Sequence, residues 1–350
     1  MVYRVYRGDL VEDKADFIDF WRINFPRWPA SKYDWLYENN IYGPAVYWVA
    51  RRIDENDKLV GTTVQFPKLL YVDGKPVMTA IVGDFGVGRK YRGFGPAGRI
   101  TAASARYKKE INLEFLYATP NMVSEKVATR YGSLVIGRTV RMVKVLRSCD
   151  YLRRYLKIGI LAKILSKPCD FLLRLMSGGA LNSYRKKYKY ELPSDYDERF
   201  DVLWEKASKV YPIIAERNSN FLHWRFTLCP FKKFSTFALV CKETEDLVGY
   251  ITYRFEDKNL IISDLLAENT NDVLDALLAA FLSYQRGQDV QKITLVFFGI
   301  KEIIRAFDRF GFSTRPDNRS IIVHVDKKSP LYDKVTDGNN WYFLESDNDA

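Results

Sequence analysis

The chain reads as two copies of one pattern, and a duplicated pattern constrains architecture more than any single element does. Tyr33-Asp34-Trp35-Leu36-Tyr37 opens a helix-like stretch. Residues 45–52 have the composition of a strand, Leu59-Val60-Gly61 begins another, and Ile81-Val82-Gly83-Asp84-Phe85 lies in a third. Leu222-His223-Trp224-Arg225-Phe226, residues 234–242, Leu247-Val248-Gly249 and Ile261-Ile262-Ser263-Asp264-Leu265 repeat that order. The offset is 189 at Trp35/Trp224, 188 at Val60/Val248 and 180 at Asp84/Asp264. The shortening is explained by a hairpin-like excursion over 67–78 in the first copy, turning at Asp73-Gly74. After each aspartate the pattern is helix, strand, helix, strand: 96–109, 113–118, 121–131 and 134–146, then 271–286, 293–298, 301–310 and 320–325.

One copy carries a loop that the other lacks. A strand ending at Val87 feeds Gly88-Arg89-Lys90-Tyr91-Arg92-Gly93-Phe94-Gly95, and a helix begins at once with Pro96-Ala97-Gly98. Proline suits a first helical position, where its missing N–H would be unpaired anyway. The glycines let backbone N–H groups approach a ligand, and the helix start adds partial positive charge, so the arrangement seats a pyrophosphate. The spacing is not that of a triphosphate P-loop. Gly93 to Gly98 fits a dinucleotide fingerprint, but without the repeated βαβ order that such a sheet needs. A plain strand-to-helix turn is the alternative. The second copy has Asn269-Thr270-Asn271-Asp272 at the same place, where an acidic residue repels phosphate.

The series Val87, Tyr91, Arg92, Gly95, Ala97 resembles the coenzyme A pyrophosphate loop of the GNAT acyltransferase superfamily, and each half follows the GNAT element order. The resemblance implies a mixed α/β sheet and two tandem GNAT-like domains. An N-terminal domain over 1–147 would hold the coenzyme A loop, a basic helical linker would follow over 148–187, a degenerate copy over 188–326 and a tail over 327–350. It implies that acyl-CoA, the co-substrate, lies against Phe85, Val87, Arg92, Gly93, Phe94, Gly95, Pro96, Ala97, Gly98 and Asn121. Asn121 is equally an N-cap. The family often places a tyrosine four residues before a glycine as proton donor to the leaving thiolate. Here those positions are Ala128 before Gly132 and Phe307 before Gly311, and Tyr131 is out of register.

The attacking amine must lose a proton, and two groups are candidates for taking it. Asp84 stands in the strand that leads to the loop, yet its repeat Asp264 favours a shared strand-fixing role. His223 titrates in the right range, yet a histidine beside Trp224 is commonly a packing residue. Trp35, Trp224, Tyr253 and Trp341 are candidates to stack on an acceptor in a cleft between the halves, or are simply core. The chain is similar to tandem GNAT enzymes of bacterial surface-polysaccharide clusters, which implies transfer to the amine of a nucleotide-linked amino sugar. A Fem-like aminoacyl-tRNA-dependent transferase and a non-catalytic acyl-CoA-binding protein are the alternatives.

Net charge is +11, and residues 138–190 account for all of the excess. An apolar stripe over 151–176, split at Pro168, reads as two helices between the halves with a solvated basic face rather than a membrane anchor. Four cysteines without C-x-x-C pairing and two histidines give no zinc pattern, so no metal is expected. The N-terminal residues have no signal-peptide core, and no apolar run reaches membrane-spanning length, which points to a cytoplasmic protein; the coenzyme A loop argues against a tRNA-dependent reading, so no nucleic-acid partner is expected.

Overall fold

The computed structural model describes residues 2–93, 95–108, 113–148 and 184–349. Phe94 and nearly all of the expected linker, with its helical hairpin, lie outside the described residues. The first half is built from β1 (Tyr3–Arg7), α1 (Lys14–Asn24), a π-helical segment (Tyr33–Glu38), β2 (Val46–Arg52), β3 (Lys58–Val72), β4 (Lys75–Val87), α2 (Pro96–Tyr107), β5 (Phe115–Ala118), α3 (Met122–Arg130) and β6 (Leu134–Val145). The second comprises α4 (Tyr184–Lys187), β7 (Tyr188–Glu191), α5 (Glu198–Ala207), β8 (Ile213–Ala215), α6 (Ser219–Leu222) running into a π-helical segment (His223–Thr227), β9 (Ser235–Cys241), β10 (Leu247–Glu256), β11 (Asn259–Ala267), α7 (Asp272–Gly287), β12 (Lys292–Gly299), α8 (Lys301–Arg309), β13 (Ser313–Val325), α9 (Tyr332–Thr336) and β14 (Trp341–Phe343). The expected helices and strands are present at these places. The hairpin between β3 and β4 closes on Asp73-Gly74, both at positive φ (48° and 73°), as a two-residue turn requires.

The halves do not form separate sheets. One sheet runs β1-β2-β3-β4-β5-β13-β6-β12-β11-β10-β9-β7. Read from either end, the order is the same with first-half strands replaced by second-half counterparts, so the halves are related by a pseudo-two-fold axis between β6 and β13. The terminal strands are exchanged across it. β13 inserts between β5 and β6, and β6 lies between β13 and β12. All the pairings β13 makes are antiparallel, with Ile322 opposite Ala118 and Arg315 opposite Arg141.

The repeated tryptophans meet at this axis. Trp35 and Trp224 stack with ring centroids 5.0 Å apart and 23° between planes, and Trp35 Nε1 donates to the Trp224 carbonyl at 3.1 Å. Around Trp35 the first half buries an aromatic cluster in which Phe17 makes edge contacts with Tyr33, Tyr37 and Tyr47.

Each half has a parallel pair of strands, β4 with β5 and β11 with β12, that parts after a short run. β4 and β5 pair only at Ala80/Leu116 and Ile81/Tyr117, and β11 and β12 part beyond Ile262/Leu295. The second gap is closed by the chain itself. β14 pairs with β12 through Phe298/Phe343 and Gly299/Tyr342, and Tyr342 Oη donates to the Leu265 carbonyl of β11 at 2.7 Å. Trp341, Tyr342 and Phe343 are all buried. The segment expected as a tail is therefore core, and Trp341 fills a strand gap instead of lining a cleft. Its Nε1 donates to the Val335 carbonyl.

The Trp35–Trp224 stack ties the halves together, so Trp224→Ala should destabilise the whole protein by about 3–5 kcal/mol. Urea unfolding should show one transition for fluorescence and circular dichroism, displaced to lower denaturant. Two separated transitions would show that the halves unfold independently.

Candidate active site

The gap between β4 and β5 is open. It leads into a cavity of about 200 Å³ bounded by both strands, by α2 (Thr101, Ser104) and by α3 (Ser124, Ala128). On the β4 side the wall is a bulge. Thr62 faces Gly86 and Val64 faces Gly83, so Asp84 and Phe85 together oppose Thr63. Asp84 takes φ +41° there, a conformation that costs a non-glycine residue energy and persists only where its surroundings hold it.

Those surroundings are three donors. Trp28 Nε1, Lys32 Nζ and Tyr37 Oη reach the Asp84 carboxylate at 3.0, 2.9 and 2.5 Å. Burial alone would lower the Lys32 pKa, but Asp84 and Asp349 outweigh it and hold Lys32 charged above its ordinary range. Burial, reinforced by Asp84, pushes the Tyr37 hydroxyl well above its ordinary range, so it stays a donor. A carboxylate held by three donors has few lone pairs left to offer an incoming amine. Asp264 repeats the device inside the second half. Arg217 Nε, Tyr250 Oη and Ser346 Oγ bond it at 3.0, 2.6 and 2.8 Å, and both Asp264 and Arg217 are fully buried. Asp84 differs in lining the cavity.

A second carboxylate stands beside it. Asp349, six residues past the end of β14, lines the same cavity 3.6 Å from Lys32 Nζ. It packs on Gly83, where a Cβ would fall 2.1 Å from Asp349 Oδ2. Lys32 is its only ion-pair partner among the described residues, so its lone pairs are less engaged than those of Asp84. Sequence reasoning missed Asp349 because nothing local says that the chain returns to the first half. Tyr117 Oη holds the Asp347 carbonyl at 3.1 Å, Thr119 Oγ1 donates to Asn348 Oδ1 at 2.7 Å, and Arg225 Nη2 donates to the Asn348 carbonyl at 3.0 Å.

The loop end has the expected form. Gly93 and Gly95 are at φ 84° and 100° with open space where a Cβ would stand. Gly95 is the N-cap of α2, Pro96 follows, no side chain caps the helix and its first turn carries no acid. The leading N–H groups of α2 are thus available to an anion. Arg92 is exposed and its Nε donates to the Val87 carbonyl at 3.0 Å. Val87 is buried beneath the loop, and Phe85 lines the cavity. Ala97 and Gly98 form the first turn, and a Cβ on Gly98 would fall 2.2 Å from Tyr131 Oη. Tyr131 therefore covers the loop end of the cavity, while Ala128, at the family's tyrosine position, lines it without a hydroxyl. Asn121 caps α3, its Oδ1 accepting from the N–H groups of Val123 and Ser124, both at 3.0 Å, and it also borders the cavity.

Of the other residues singled out in the sequence, none joins this cavity. His223 is half-buried, with Nδ1 2.7 Å from Asp195 in the second half. Tyr253 borders a different cavity beside Ser235 and Tyr284. Trp35 and Trp224 are spent on each other. The histidine that does line the site is His324, carried in by the exchanged β13 opposite Leu116. Burial, with Lys108 nearby, holds its imidazole below the usual range, and its Nδ1 has no hydrogen-bond partner among the described residues.

Residues 10–133 match the family model described as an acetyltransferase (GNAT) domain, a stretch that includes the loop, the bulge and most of the cavity wall. Among solved structures the chain is similar to a probable N-acyltransferase from Enterococcus faecalis V583, at 14% identity and TM-score 0.64, over 92% of this chain and 72% of that one. It is similar to a GCN5-related N-acetyltransferase from Anabaena variabilis at 13% identity and TM-score 0.63, with coverage of 92% and 72%. A tandem GNAT protein from the clavulanic acid biosynthesis pathway matches at 12% identity and TM-score 0.56, over 92% of this chain and 98% of that one. These likenesses are of fold. No curated protein matches by sequence. The match to a GNAT acetyltransferase domain thus falls on the half that holds the open cavity, and GNAT domains use acyl-CoA.

One open and one filled strand gap lead to the expectation of a single acyl-CoA site, in the first half. Calorimetry should give one coenzyme A per chain, and Arg92→Glu should weaken it by about 2–4 kcal/mol through lost attraction and added repulsion. Two sites per chain would contradict the filled gap. His324 makes a pH prediction. The unfolded chain takes up a proton near ~6.5 that the folded chain resists, so its contribution to stability is lost as pH falls through that value. His324→Gln should remove that part of the loss, measured as a smaller fall in urea midpoint between pH 7.5 and 5.5.

Proposed function

We propose that the protein transfers an acyl group from acyl-CoA to the amine of a nucleotide-linked amino sugar. The observation that carries this reading is a pair of adjoining cavities. The β4–β5 gap suits the thioester arm, and a larger cavity of about 480 Å³ adjoins it at Thr119, whose hydroxyl donates to Asn348 in the wall of the larger one. That second space exceeds what a small amine needs.

The residues fit the co-substrate: the open glycines and free N–H groups of α2 would hold its pyrophosphate, and the strand gap its pantetheine arm. When bound, it supplies an activated acyl group whose C–S bond breaks as the C–N bond forms. Lys32 fixes Asp84, and Asp84 fixes the bulge that widens the gap. An incoming ammonium meets two carboxylates, Asp349 and Asp84, with Lys32 between them and Arg225 held on the Asn348 carbonyl behind. Asp349 accepts its proton, directly or through water, before attack. His324, held neutral, lines the opposite wall.

Free-thiol release should exceed background with a nucleotide-linked amino sugar and be far slower with the free sugar or a peptide amine. Equal rates on all three would sink the sugar assignment and leave the transferase intact. Asp349→Asn should lower kcat by roughly 10²-fold with little change in melting temperature. Asp84→Asn and Asp264→Asn should each cost about 1.5–3 kcal/mol of stability, since each takes one charged hydrogen-bond partner from a buried cation that keeps a second carboxylate, Asp349 or Asp347.

A further inference from the structure

The larger cavity lies on the sheet face opposite α7 and α8. It is floored by side chains of β6, β12 and β11 and flanked by β10 and β13. Arg141, Arg254, Lys292, Arg315 and Arg319 border it, against two acids, Glu256 and Glu345. Arg141 and Arg315 are directly opposite on antiparallel β6 and β13. Like charges so placed destabilise a sheet unless something between them carries the opposite sign. Asp317 meets part of that need, holding Arg141 at 3.2 Å and Arg319 at 2.9 Å. Lys292 and Arg315 have no carboxylate partner among the described residues. Arg254 pairs with Glu256 and Glu345, yet its buried Nε has no hydrogen-bond partner. Thr139 and Thr294 add hydroxyls on the same face.

We propose that this cavity is a binding site for a diphosphate group, with Lys292 and Arg315 as its principal uncommitted cations and Arg141 and Arg254 completing the cradle. The sheet then tolerates the Arg141–Arg315 opposition because the ligand resolves it. Guanidinium groups suit the planar oxygen pairs of phosphate, and a rigid sheet holds them without a conformational cost at binding. The cavity reaches Thr119 and Asn348, where Thr119 also borders the acyl-CoA cavity and Asp349 follows Asn348 into it. A diphosphate seated here places the rest of its molecule towards Asp349. The assignment of that molecule as the acceptor rests on the proposed function; the diphosphate site does not.

The test uses the full chain saturated with coenzyme A, so that the first cavity is unavailable to phosphate. Inorganic pyrophosphate and uridine diphosphate are titrated by calorimetry into the wild type and into a Lys292→Ala/Arg315→Ala double variant, whose melting temperature is checked first. Binding to the wild type that weakens with salt and falls about ten-fold or more in the variant is the expected result. Tighter binding of uridine diphosphate than of pyrophosphate places the group on a nucleotide; equal binding places it on a free or terminal phosphate. No binding to the wild type at millimolar concentration, or equal binding to both proteins, overturns the site. If diphosphate binding is lost in the variant while no nucleotide amino sugar is ever acylated, the site stands and the sugar reading falls. If such a sugar is acylated with the same KM by both proteins, the sugar reading stands and the site falls.

Discussion

Strand β6 takes backbone partners on both edges from the other half, β13 on one side and β12 on the other, while β13 is held by β5 and β6. Neither half owns a complete sheet. Were the halves separated as they stand, β5 would lose β13 and β12 would lose β6, leaving unpaired N–H and C=O groups at both edges. Everything at the centre inherits this constraint. The Trp35–Trp224 stack needs the two halves in one register, His324 reaches the first cavity only because β13 crosses, and the cationic cavity is floored by strands of both halves.

The duplication, the Asp73-Gly74 hairpin and the glycine loop were legible in the sequence because each depends on local rules: periodicity, turn chemistry and helix-start chemistry. Residues Gly93 to Gly98 announce an anion seat with no knowledge of what lies across from them. The strand exchange was not legible, since β6 and β13 look the same whichever sheet they join. The same blindness explains the misplaced aromatics. Trp35 and Trp224 were visible as a repeated pair, but that they would stack on one another follows from the axis, and Trp341 from the path of the chain. Asp349 and His324 were missed for one reason: each reaches the site through a long-range contact. The carboxylate pair Asp84/Asp264 was half-read. Its repetition pointed to a strand-fixing role, and three donors hold each carboxylate, while its exposure to the cavity in one copy alone could not be read from residues.

Asp84–Lys32 and Asp264–Arg217 show how a duplicated fold diverges without losing its skeleton. Each pairs a buried carboxylate with a cation from a distant segment, and each would be costly to break on one side only. The chemistry differs because one pair borders space and the other is sealed by Ser346 and Asp347. In α2, glycine and small side chains leave room against the sheet. Its counterpart α7 buries Leu274, Leu277, Leu278 and Phe281, and no opening remains.

The segment from Trp341 to Asp349 breaks the symmetry in a way that couples the two copies. Its first three residues are wedged into the strand gap of the second half, and its last stands in the strand gap of the first. A peptide of nine residues is thus a strut at one end and part of a cavity wall at the other. One copy acts as a vice for a carboxylate that stands in the other, and its fidelity as a clamp sets how firmly that carboxylate is presented to the open cavity.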